Sequence, residues 1–432
     1  MNSAESAALS LVCKERGWTE AADGESADLV LLNTCSVRLT AERRVFGRIA
    51  HYAALKKKYT RNFTLVIAGC MAQRLGETLK EKYPQIDYVM GTSARSLFPL
   101  ILEAAENGSK AVFDINEKSV FSFSNSHLEE GQFRSFVPIM HGCNNFCSYC
   151  IVPYVRGREV SRDPQNIAWE IRLVGERGVR EITLLGQNVN SYRWEQDGMD
   201  FSRLLKFIAA EAEKSGVKWI RFLSANPKDF SPATIEVMAA NKVFCRHLHL
   251  PVQHGSNSVL KAMNRGYTAE RFLELVREIR AAMPGITLST DILTGFPGET
   301  EDDIRQTLDL MEEIKFLYSF MYHFNPREGT KAFDLPGRIS EEVKKERLSR
   351  VIALQKKHTA QLLKARIGST ETVLIEGISR KNADELITRT EKDEMAAVPG
   401  PGSMIGSFVK LTISSLKGNT FRAKELVPCP GV

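Results

Sequence analysis

The segment "HGCNNFCSYC" at residues 141–150 places Cys143, Cys147 and Cys150 at spacings of four and three residues. The whole chain has only 8 cysteines in 432 residues, so three in one short loop need a chemical reason. An odd trio cannot pair off as disulfides within the loop. Three thiolates can hold three corners of a [4Fe–4S] cluster and leave the fourth iron open to an exogenous ligand. A structural zinc site with His141 as fourth ligand is the alternative.

Apolar segments on both sides of this loop alternate with helical patterns, which is typical of α/β folds. The candidate strands lie at 136–140, 180–186, 217–223, 246–250, 286–292 and 317–323. Six such units predict a partial (βα)6 TIM-like barrel within residues 136–366, two strands short of the usual eight. The cysteine loop follows the first of these strands, so we expect it on the catalytic face of the barrel.

Residues 1–113 predict a separate open α/β domain. Its buried parallel strands are expected at 28–35, 62–70 and 87–91. Cys35 and Cys70 fall at the ends of the first two strands. Because ligands gather beyond the carboxyl ends of parallel strands, we expect these two thiols to approach each other at one edge of the sheet.

The remainder of the chain divides into a linker and a small terminal domain. Residues 114–135 mix serine, asparagine and glutamate without a clear period and are predicted to be a linker. Residues 367–430 contain short alternating strands and a "PGPG" turn at 399–402. This pattern predicts a small closed β-barrel, a fold that often binds nucleic acid.

The overall composition is that of an ordinary globular protein. The net charge is +6, from 58 basic and 52 acidic residues, which is compatible with binding a polyanion but is weak support on its own. The longest apolar runs have the length of strands, so we expect no membrane span. No secretion signal is recognisable at the start, and the cysteines are therefore interpreted as reduced thiols in the cytoplasm.

The cysteine loop closely resembles that of the radical S-adenosylmethionine (SAM) enzymes. Other segments resemble the methylthiotransferases among them: "NTCSVR" (33–38), "AGCMAQ" (68–73), "GCNNFCSYCIVPYVRGREVSR" (142–162), "LLGQNVNSY" (184–192) and "STDILTGFPGET" (289–300). That family places a SAM barrel between an amino-terminal domain with a second cluster and a carboxy-terminal TRAM domain that contacts RNA. Residues 33–38 and 184–192 are most similar to the members that act on N6-isopentenyladenosine in tRNA, beside the anticodon.

The resemblance implies roles for individual residues. Two [4Fe–4S] clusters are implied, one on Cys143, Cys147 and Cys150 that binds SAM, and an auxiliary one on Cys35 and Cys70. The SAM pocket is implied to include Tyr149, Gly186, Gln187, Asn188, Ser289 and Asp291. Basic residues expected to contact RNA are Arg156, Arg158 and Arg162 beside the cysteine loop, and Arg389, Lys410 and Arg422 in the terminal domain.

The implied reaction replaces an unreactive C–H bond at adenine C2. The cluster on the cysteine loop would split SAM into a radical that abstracts this hydrogen, and the auxiliary cluster would supply sulfur. A second SAM would donate the methyl group. The implied partners are tRNA, a flavodoxin- or ferredoxin-like electron donor and a sulfur or cluster carrier, with the enzyme acting as a monomer.

One family motif is incomplete at the beginning of the chain. The family's first auxiliary ligand lies in a segment like G-C-Q-M-N-x-x-E-S, and this chain begins "MNSAES", which matches from the methionine onward. We therefore expect a first strand and a third cysteine just upstream of Met1, removed by a late start site, by truncation or by real loss. Cys13 is the alternative ligand, although its place in a helical pattern near Leu9 and Trp18 favours a core role.

Two other functions fit the same residues. The first keeps the chemistry and changes the target to threonylcarbamoyl-adenosine in tRNA or to an aspartate of a ribosomal protein. The second is a non-catalytic iron–sulfur RNA-binding protein, which the incomplete auxiliary motif would allow. Residues 184–192 favour the isopentenyladenosine target, and cleavage of SAM after reduction separates an enzyme from a carrier.

Overall fold

A computed structural model of the chain describes residues 2–36, 39–59, 62–109, 123 and 131–428. The chain divides into two compact units. The first unit contains Met1–His127, Pro138–Arg162 and Asn325–Phe333, and the second contains Leu128–Val137, Asp163–Phe324 and Asp334–Val432. The cysteine loop therefore groups with the amino-terminal segment. The predicted linker 114–135 lies mostly outside the described residues, as does Cys429.

The amino-terminal part of the first unit is an α/β sandwich. Its elements are α1 (Asn2–Glu15), β1 (Leu29–Thr34), α2 (Leu39–Tyr59), β2 (Thr64–Gly69), α3 (Cys70–Leu75), α4 (Glu77–Lys82), β3 (Tyr88–Met90) and α5 (Phe98–Glu106). The strands form a parallel sheet in the order β1-β2-β3. Gly76, at φ 48°, separates α3 from α4, so the two do not form one continuous helix.

Alternate residues of β2 fill two different cores, as the two-residue period of a strand requires. Leu65 and Ile67 pack with Ile49 of α2 on one face. Val66 and Ala68 pack with α1 and α5 on the other. The sheet is therefore covered on both faces, which explains why β2 reads as a continuous apolar run.

The chain then passes through β4 (Arg134–Pro138) and reaches the cysteine loop. A short antiparallel pair, β5 (Met140–His141) and β6 (Val160–Ser161), flanks that loop and encloses α6 (Val152–Arg156).

The second unit contains the six predicted barrel strands. After β4 they are β7 (Glu181–Leu185), β10 (Trp219–Phe222), β11 (His247–His249), β12 (Thr287–Thr294) and β13 (Tyr318–His323), with a small hairpin of β8 (Arg193–Trp194) and β9 (Met199–Asp200). The sheet orders are β10-β7-β4 and β11-β12-β13, and a parallel bridge between Ile220 and Phe244 lies between them. The α/β class and the partial barrel are confirmed.

Helices connect these strands: α7 (Pro164–Glu176), α8 (Phe201–Ser215), α9 (Pro232–Ala240), α10 (Asn257–Ala262), α11 (Ala269–Ala282) and α12 (Glu301–Ile314), followed by α13 (Glu341–Lys364). Most begin at a side chain that accepts a hydrogen bond from the first turn, which satisfies an otherwise unpaired backbone N–H. These capping residues are Asp163, Asp200, Ser231, Thr268, Thr300 and Ser340. No helix in the described ranges combines the length and apolar character that crossing a bilayer requires.

The carboxy-terminal domain is a seven-stranded sheet. Its strands are β14 (Thr370–Ser379), β15 (Asn382–Thr390), β16 (Met395–Pro399), β17 (Phe408–Thr412), β18 (Ser415–Lys417), β19 (Thr420–Arg422) and β20 (Leu426–Pro428). Their order is β18-β19-β16-β15-β14-β17-β20. The predicted pattern of short strands is confirmed, and closure of the sheet into a barrel stays a prediction.

Candidate active site

The cysteine loop is held by its own backbone. Gly142 has a φ of 78°, and a Cβ there would lie 2.0 Å from the carbonyl oxygen of Arg158. The N–H of Cys143 donates to the carbonyl of Gly157 at 3.1 Å, and that of Cys150 donates to the carbonyl of Cys147 at 2.9 Å. The close approach of 142 to 157–158 therefore fixes where the first thiol leaves the sheet.

The three thiols of the loop lie at different depths. Cys143 and Cys147 are buried and Cys150 is half-buried, and none is in a disulfide. Burial raises the pKa of the Cys143 thiol. The carbonyl of Ser148 accepts a hydrogen bond of 2.7 Å from the N–H of Ala332, so the segment 325–333 braces the loop.

Cys35 and Cys70 follow neighbouring strands, as expected. Thr34 and Gly69, the last residues of β1 and β2, are paired in register, and each cysteine comes directly after its strand rather than at its last position. Cys70 begins α3 and is buried against Ile151 and Val155. Ile151 and Val155 come shortly after Cys150, so Cys70 packs against the segment that follows the cysteine loop.

A buried ion-pair network adjoins Cys70. Arg156 donates to Glu5 at 2.6 and 3.2 Å, and Arg95 donates to the same carboxylate at 2.8 Å. Burial raises the pKa of Glu5, but the charges of the two arginines outweigh it and lower the pKa to about 2. Burial and the charge of Arg156 lower the pKa of His141 to about 3. Sequence reasoning missed Glu5 and Arg95, although Glu5 lies in the quoted segment "MNSAES".

The three arginines after the loop differ from the prediction that they form one RNA-facing cluster. Arg156 is buried in the network above, and Arg162 is buried and donates to the carbonyl of Pro138 at 3.3 Å. Arg158 is exposed, and its guanidinium lies 4.4 Å from the centre of the Phe146 ring. Of the three, Arg158 has the surface position that a phosphate contact needs.

The predicted SAM-pocket residues of the second unit lie after or within barrel strands. Gly186, Gln187 and Asn188 follow β7, and Asn188 donates from Nδ2 to Asp229 at 2.8 Å. The Oδ1 of Asn188 is buried, and among the described residues it has no hydrogen-bond partner. Tyr149, in the first unit, is half-buried.

The two predicted pocket residues of β12 have different surroundings. Ser289 is fully buried, and its hydroxyl is within hydrogen-bond distance of His247 and His249, at 2.9 and 3.0 Å. Asp291 keeps about 30% of its side chain exposed and lies 3.7 Å from His249. Asp291 is therefore accessible to a ligand, whereas Ser289 is part of a buried polar network.

The basic residues predicted to contact RNA in the terminal domain also differ in exposure and in ion pairing. The Arg389 side chain is mostly buried and pairs with Glu181, Glu376 and Asp393. Arg422 makes two contacts of 2.8 Å with Glu385. Lys410, on β17, is exposed.

The other two cysteines in the described ranges lie in or beside cores. Cys13 packs beside the core that contains Leu9, and Cys245 is buried with Trp219 and Leu374. Burial raises the pKa of the Cys13 thiol. The position of Cys13 agrees with its interpretation as a core residue.

The donor set of the loop fits an iron–sulfur cluster, because cysteine thiolates are the protein ligands of such clusters and three thiols share one backbone-braced loop. Among the residues that the structure describes, no three histidine, cysteine or carboxylate side chains lie close enough to hold a single metal ion.

Three families match successive parts of the chain. Residues 137–311 match the Radical SAM superfamily, residues 1–91 match the uncharacterized protein family UPF0004, and residues 364–426 match the TRAM domain. Among solved structures, the radical S-adenosylmethionine methyltransferase TsrM from Kitasatospora setae aligns with a TM-score of 0.59 at 16% identity, over 76% of this chain and 73% of that one. This likeness concerns the fold.

Relatives along the whole chain are more specific. A tRNA-2-methylthio-N6-dimethylallyladenosine synthase of Treponema denticola is 52% identical, covering 98% of this chain and 97% of its own. The enzyme of the same name from Syntrophus aciditrophicus is 40% identical, covering 99% and 92%. The chain therefore belongs to the tRNA-2-methylthio-N6-dimethylallyladenosine synthases, a family of radical SAM transferases.

Proposed function

We propose that this chain adds a methylthio group to C2 of N6-isopentenyladenosine in tRNA, next to the anticodon. Cys143, Cys147 and Cys150 hold the [4Fe–4S] cluster that binds SAM. Cys35 and Cys70 are ligands of the auxiliary [4Fe–4S] cluster. The relatives that match nearly the whole chain are named for synthesis of this nucleoside, which favours this target over threonylcarbamoyl-adenosine and over a ribosomal protein.

One observation carries the proposal. Cys70 packs against Ile151 and Val155, directly after the last cysteine of the loop, within one compact unit. Sulfur transfer requires that the carbon radical generated with SAM and the sulfur supplied by the auxiliary cluster meet at the same carbon atom. A contact between the two cysteine-bearing segments is the arrangement that such a reaction needs.

The cluster on the cysteine loop, when bound, supplies the electron that splits SAM and so gives access to an unreactive C–H bond. The chain's own residues hold and shield this chemistry. Burial of Cys143 and Cys147 keeps water from their thiolates. The Oδ1 of Asn188, which has no hydrogen-bond partner among the described residues, offers an acceptor, and the exposed part of Asp291 offers a carboxylate to hydroxyl groups. Tyr149, Gly186, Gln187 and Ser289 stay predicted contacts of SAM.

The proposed RNA contacts are the basic side chains that remain at the surface. Arg158 lies on Phe146, beside the exposed Tyr154, where a guanidinium and aromatic rings are both available to a phosphate or an unpaired base. Lys410 is exposed on the terminal sheet, and Arg422 is partly exposed. The bound adenosine is splayed out of its stack, because C2 is otherwise shielded by its neighbours.

The proposal also includes partners. A flavodoxin- or ferredoxin-like protein delivers single electrons, and a sulfur or cluster carrier restores the auxiliary site after turnover. The enzyme acts as a monomer in the cytoplasm, where tRNA is found and where cysteines stay reduced.

Nucleoside analysis of tRNA tests the proposal. Cells lacking the gene should lose 2-methylthio-N6-isopentenyladenosine and accumulate N6-isopentenyladenosine. A gene carrying Cys147→Ala should fail to restore the modification. One carrying Cys245→Ala, a core cysteine of similar burial, should restore it. Unchanged 2-methylthio-N6-isopentenyladenosine in the deletion strain would defeat the assignment.

A second measurement separates an enzyme from an iron–sulfur RNA-binding protein. Reduced, reconstituted protein should release 5′-deoxyadenosine and methionine from SAM, and the Cys147→Ala variant should release neither. Tight tRNA binding without any SAM cleavage would favour the non-catalytic function.

A further inference from the structure

Arg156 is the last residue of α6, and Ile151 and Val155 of the same segment pack against Cys70. Burial raises the pKa of the Cys70 thiol, and the charge of Arg156 opposes that shift. We propose that Arg156, fixed by Glu5 and Arg95, is a positioning residue that raises the reduction potential of the auxiliary cluster by stabilising its reduced form. This inference rests on the proposed function, because it needs Cys70 to be a cluster ligand.

The guanidinium of Arg156 is held by partners from two segments. It donates to both carboxylate oxygens of Glu5 in α1, at 2.6 and 3.2 Å, and to the side-chain oxygen of Asn2 at 3.3 Å. A ring nitrogen of His141, in β5, lies 3.5 Å away. The cation therefore cannot swing out of this network without breaking a buried ion pair, which is strongly destabilising when one partner is lost.

The charged groups named in this network are one carboxylate, on Glu5, and two guanidinium groups, on Arg95 and Arg156. Only 5% of the side chains of Glu5 and Arg156 and 16% of that of Arg95 are exposed, so water screens them poorly. A thiolate-ligated cluster on Cys70 would place negative charge close to these cations, where screening is weak.

The same charge pattern determines the direction of the effect. One-electron reduction adds one negative charge to the cluster, and a nearby fixed cation stabilises the reduced form more than the oxidised form. Hydrogen bonds to cluster sulfurs and the local net charge are the means by which proteins set such potentials. Arg156 therefore raises the potential, and Glu5, which carries the opposite charge, lowers it while orienting the arginine.

The experiment isolates the auxiliary cluster in the full chain. Cys143, Cys147 and Cys150 are all replaced by alanine, and the protein is reconstituted anaerobically with iron and sulfide. Iron per chain is measured, and the midpoint potential is determined by a dithionite titration followed by electron paramagnetic resonance. The substitutions added to this background are Arg156→Gln, Arg156→Lys, Glu5→Gln and, as a control, Arg16→Gln. Arg16 pairs with Glu106 at 2.8 Å near the surface of the same unit.

We expect shifts of opposite sign. Arg156→Gln should move the midpoint to a more negative potential, and Glu5→Gln should move it to a more positive one. Arg156→Lys, which keeps the charge, should stay nearer the parent, and Arg16→Gln should not shift it. A purely structural role would lower iron content in both network variants without opposite shifts.

Failure of this inference can be distinguished from failure of the proposed role of Cys70. Unshifted midpoints, or shifts of one sign in Arg156→Gln and Glu5→Gln, overturn the inference and leave the cluster assignment intact. If Arg156→Gln takes up no iron, the comparison of Arg156→Lys with Glu5→Gln decides by the same criterion. If the parent protein with only the auxiliary site binds no iron, the proposed role of Cys70 fails and the inference fails with it.

Discussion

The hydroxyl of Tyr318, the first residue of β13, donates a hydrogen bond of 2.6 Å to Asp393 in the turn between β15 and β16. Asp393 has a φ of 64° and also accepts from Arg389 at 2.7 Å. The guanidinium of Arg221 donates to the carbonyls of Thr390 and Glu391 in the same turn, at 3.1 and 2.9 Å. The terminal sheet is therefore anchored at the starts of the barrel strands, opposite the end where active sites of such barrels lie.

The first prediction concerns this anchor. Asp393→Asn keeps a residue that tolerates positive φ but removes the charge that pairs with Arg389. We expect the free energy of unfolding to fall by about 2–3 kcal/mol, since a buried ion pair loses one partner. Urea unfolding measures it. Glu313→Gln, which disturbs the exposed pair with Arg277 in the same unit, should cost about 0.5 kcal/mol or less. Equal losses in the two variants would refute the anchoring role.

The second prediction concerns the loss of folding stability at acidic pH. Burial, helped by the charge of Arg221, lowers the pKa of His247 to about 3, although Asp393 opposes the shift. In the unfolded chain this histidine titrates near 6.5, so between about pH 6.5 and pH 3 the unfolded state binds the extra proton. Stability is therefore lost as the pH falls through this window, by roughly 1.4 kcal/mol per pH unit from this group.

Urea midpoints at pH 7, 6, 5 and 4 check this dependence. His247→Gln removes the proton uptake of the unfolded state, so its stability should decline less steeply than that of the parent. His51→Gln is the control, because His51 is exposed and pairs with the exposed Glu25. A parent-like slope in His247→Gln would show that this histidine does not titrate as stated.

The sequence predicts a barrel strand most clearly where both of its faces are buried. All five residues of β7, "EITLL", are buried, so after the acidic first residue its apolar residues are interrupted only by Thr183. The segments of β16 and β18, "MAAVP" and "SLK", by contrast carry little strand propensity. They are held by pairing with β15 and β19, which is tertiary context that a local pattern does not contain.

The candidate site likewise combines features that a local sequence pattern contains with features that depend on the fold. The spacing of Cys143, Cys147 and Cys150 is local, so the sequence alone could predict the loop. The burial of Arg156 depends on Glu5, which is 151 positions away in the chain. The local sequence predicts that three neighbouring arginines form one basic surface. Only the fold shows which of them has a buried partner.

The third prediction separates two asparagines of the segment "GQNVN". Both polar atoms of the Asn190 amide are paired, since Nδ2 donates to the carbonyl of Asn226 at 2.7 Å and Oδ1 accepts from its N–H at 2.8 Å. Asn188, by contrast, keeps its buried Oδ1 unpaired among the described residues. Asn188→Ala should weaken SAM binding by the reconstituted protein about tenfold, the equivalent of one hydrogen bond, as measured by equilibrium dialysis.

Asn190→Ala should act on stability instead. It leaves two buried backbone groups of Asn226 unsatisfied, and the free energy of unfolding should fall by about 1–3 kcal/mol. If Asn188→Ala binds SAM as the parent does, the assignment of Asn188 to the SAM pocket is wrong.

The fourth prediction concerns the glycine that precedes the first loop cysteine. A Cβ at Gly142 would lie 2.0 Å from the carbonyl oxygen of Arg158 and 2.7 Å from that of Gly157. Both oxygens belong to the backbone at residues 157 and 158, just before β6, so neither can rotate away as the end of a side chain could. Gly142→Ala should force β5 away from the 157–158 segment, displace Cys143 and reduce the iron bound per chain severalfold after reconstitution.

Gly157→Ala is a matched control in the same hairpin. Gly157 also has a positive φ, 75°, but nothing lies within 4 Å of its would-be Cβ. At φ 75° and ψ −164° the substitution therefore adds only backbone strain of about 1–3 kcal/mol and should leave iron binding close to that of the parent. Equal iron binding by the two variants would mean that the loop holds its thiols in place without the close contact at Gly142. Backbone strain alone would then explain why residue 142 is a glycine.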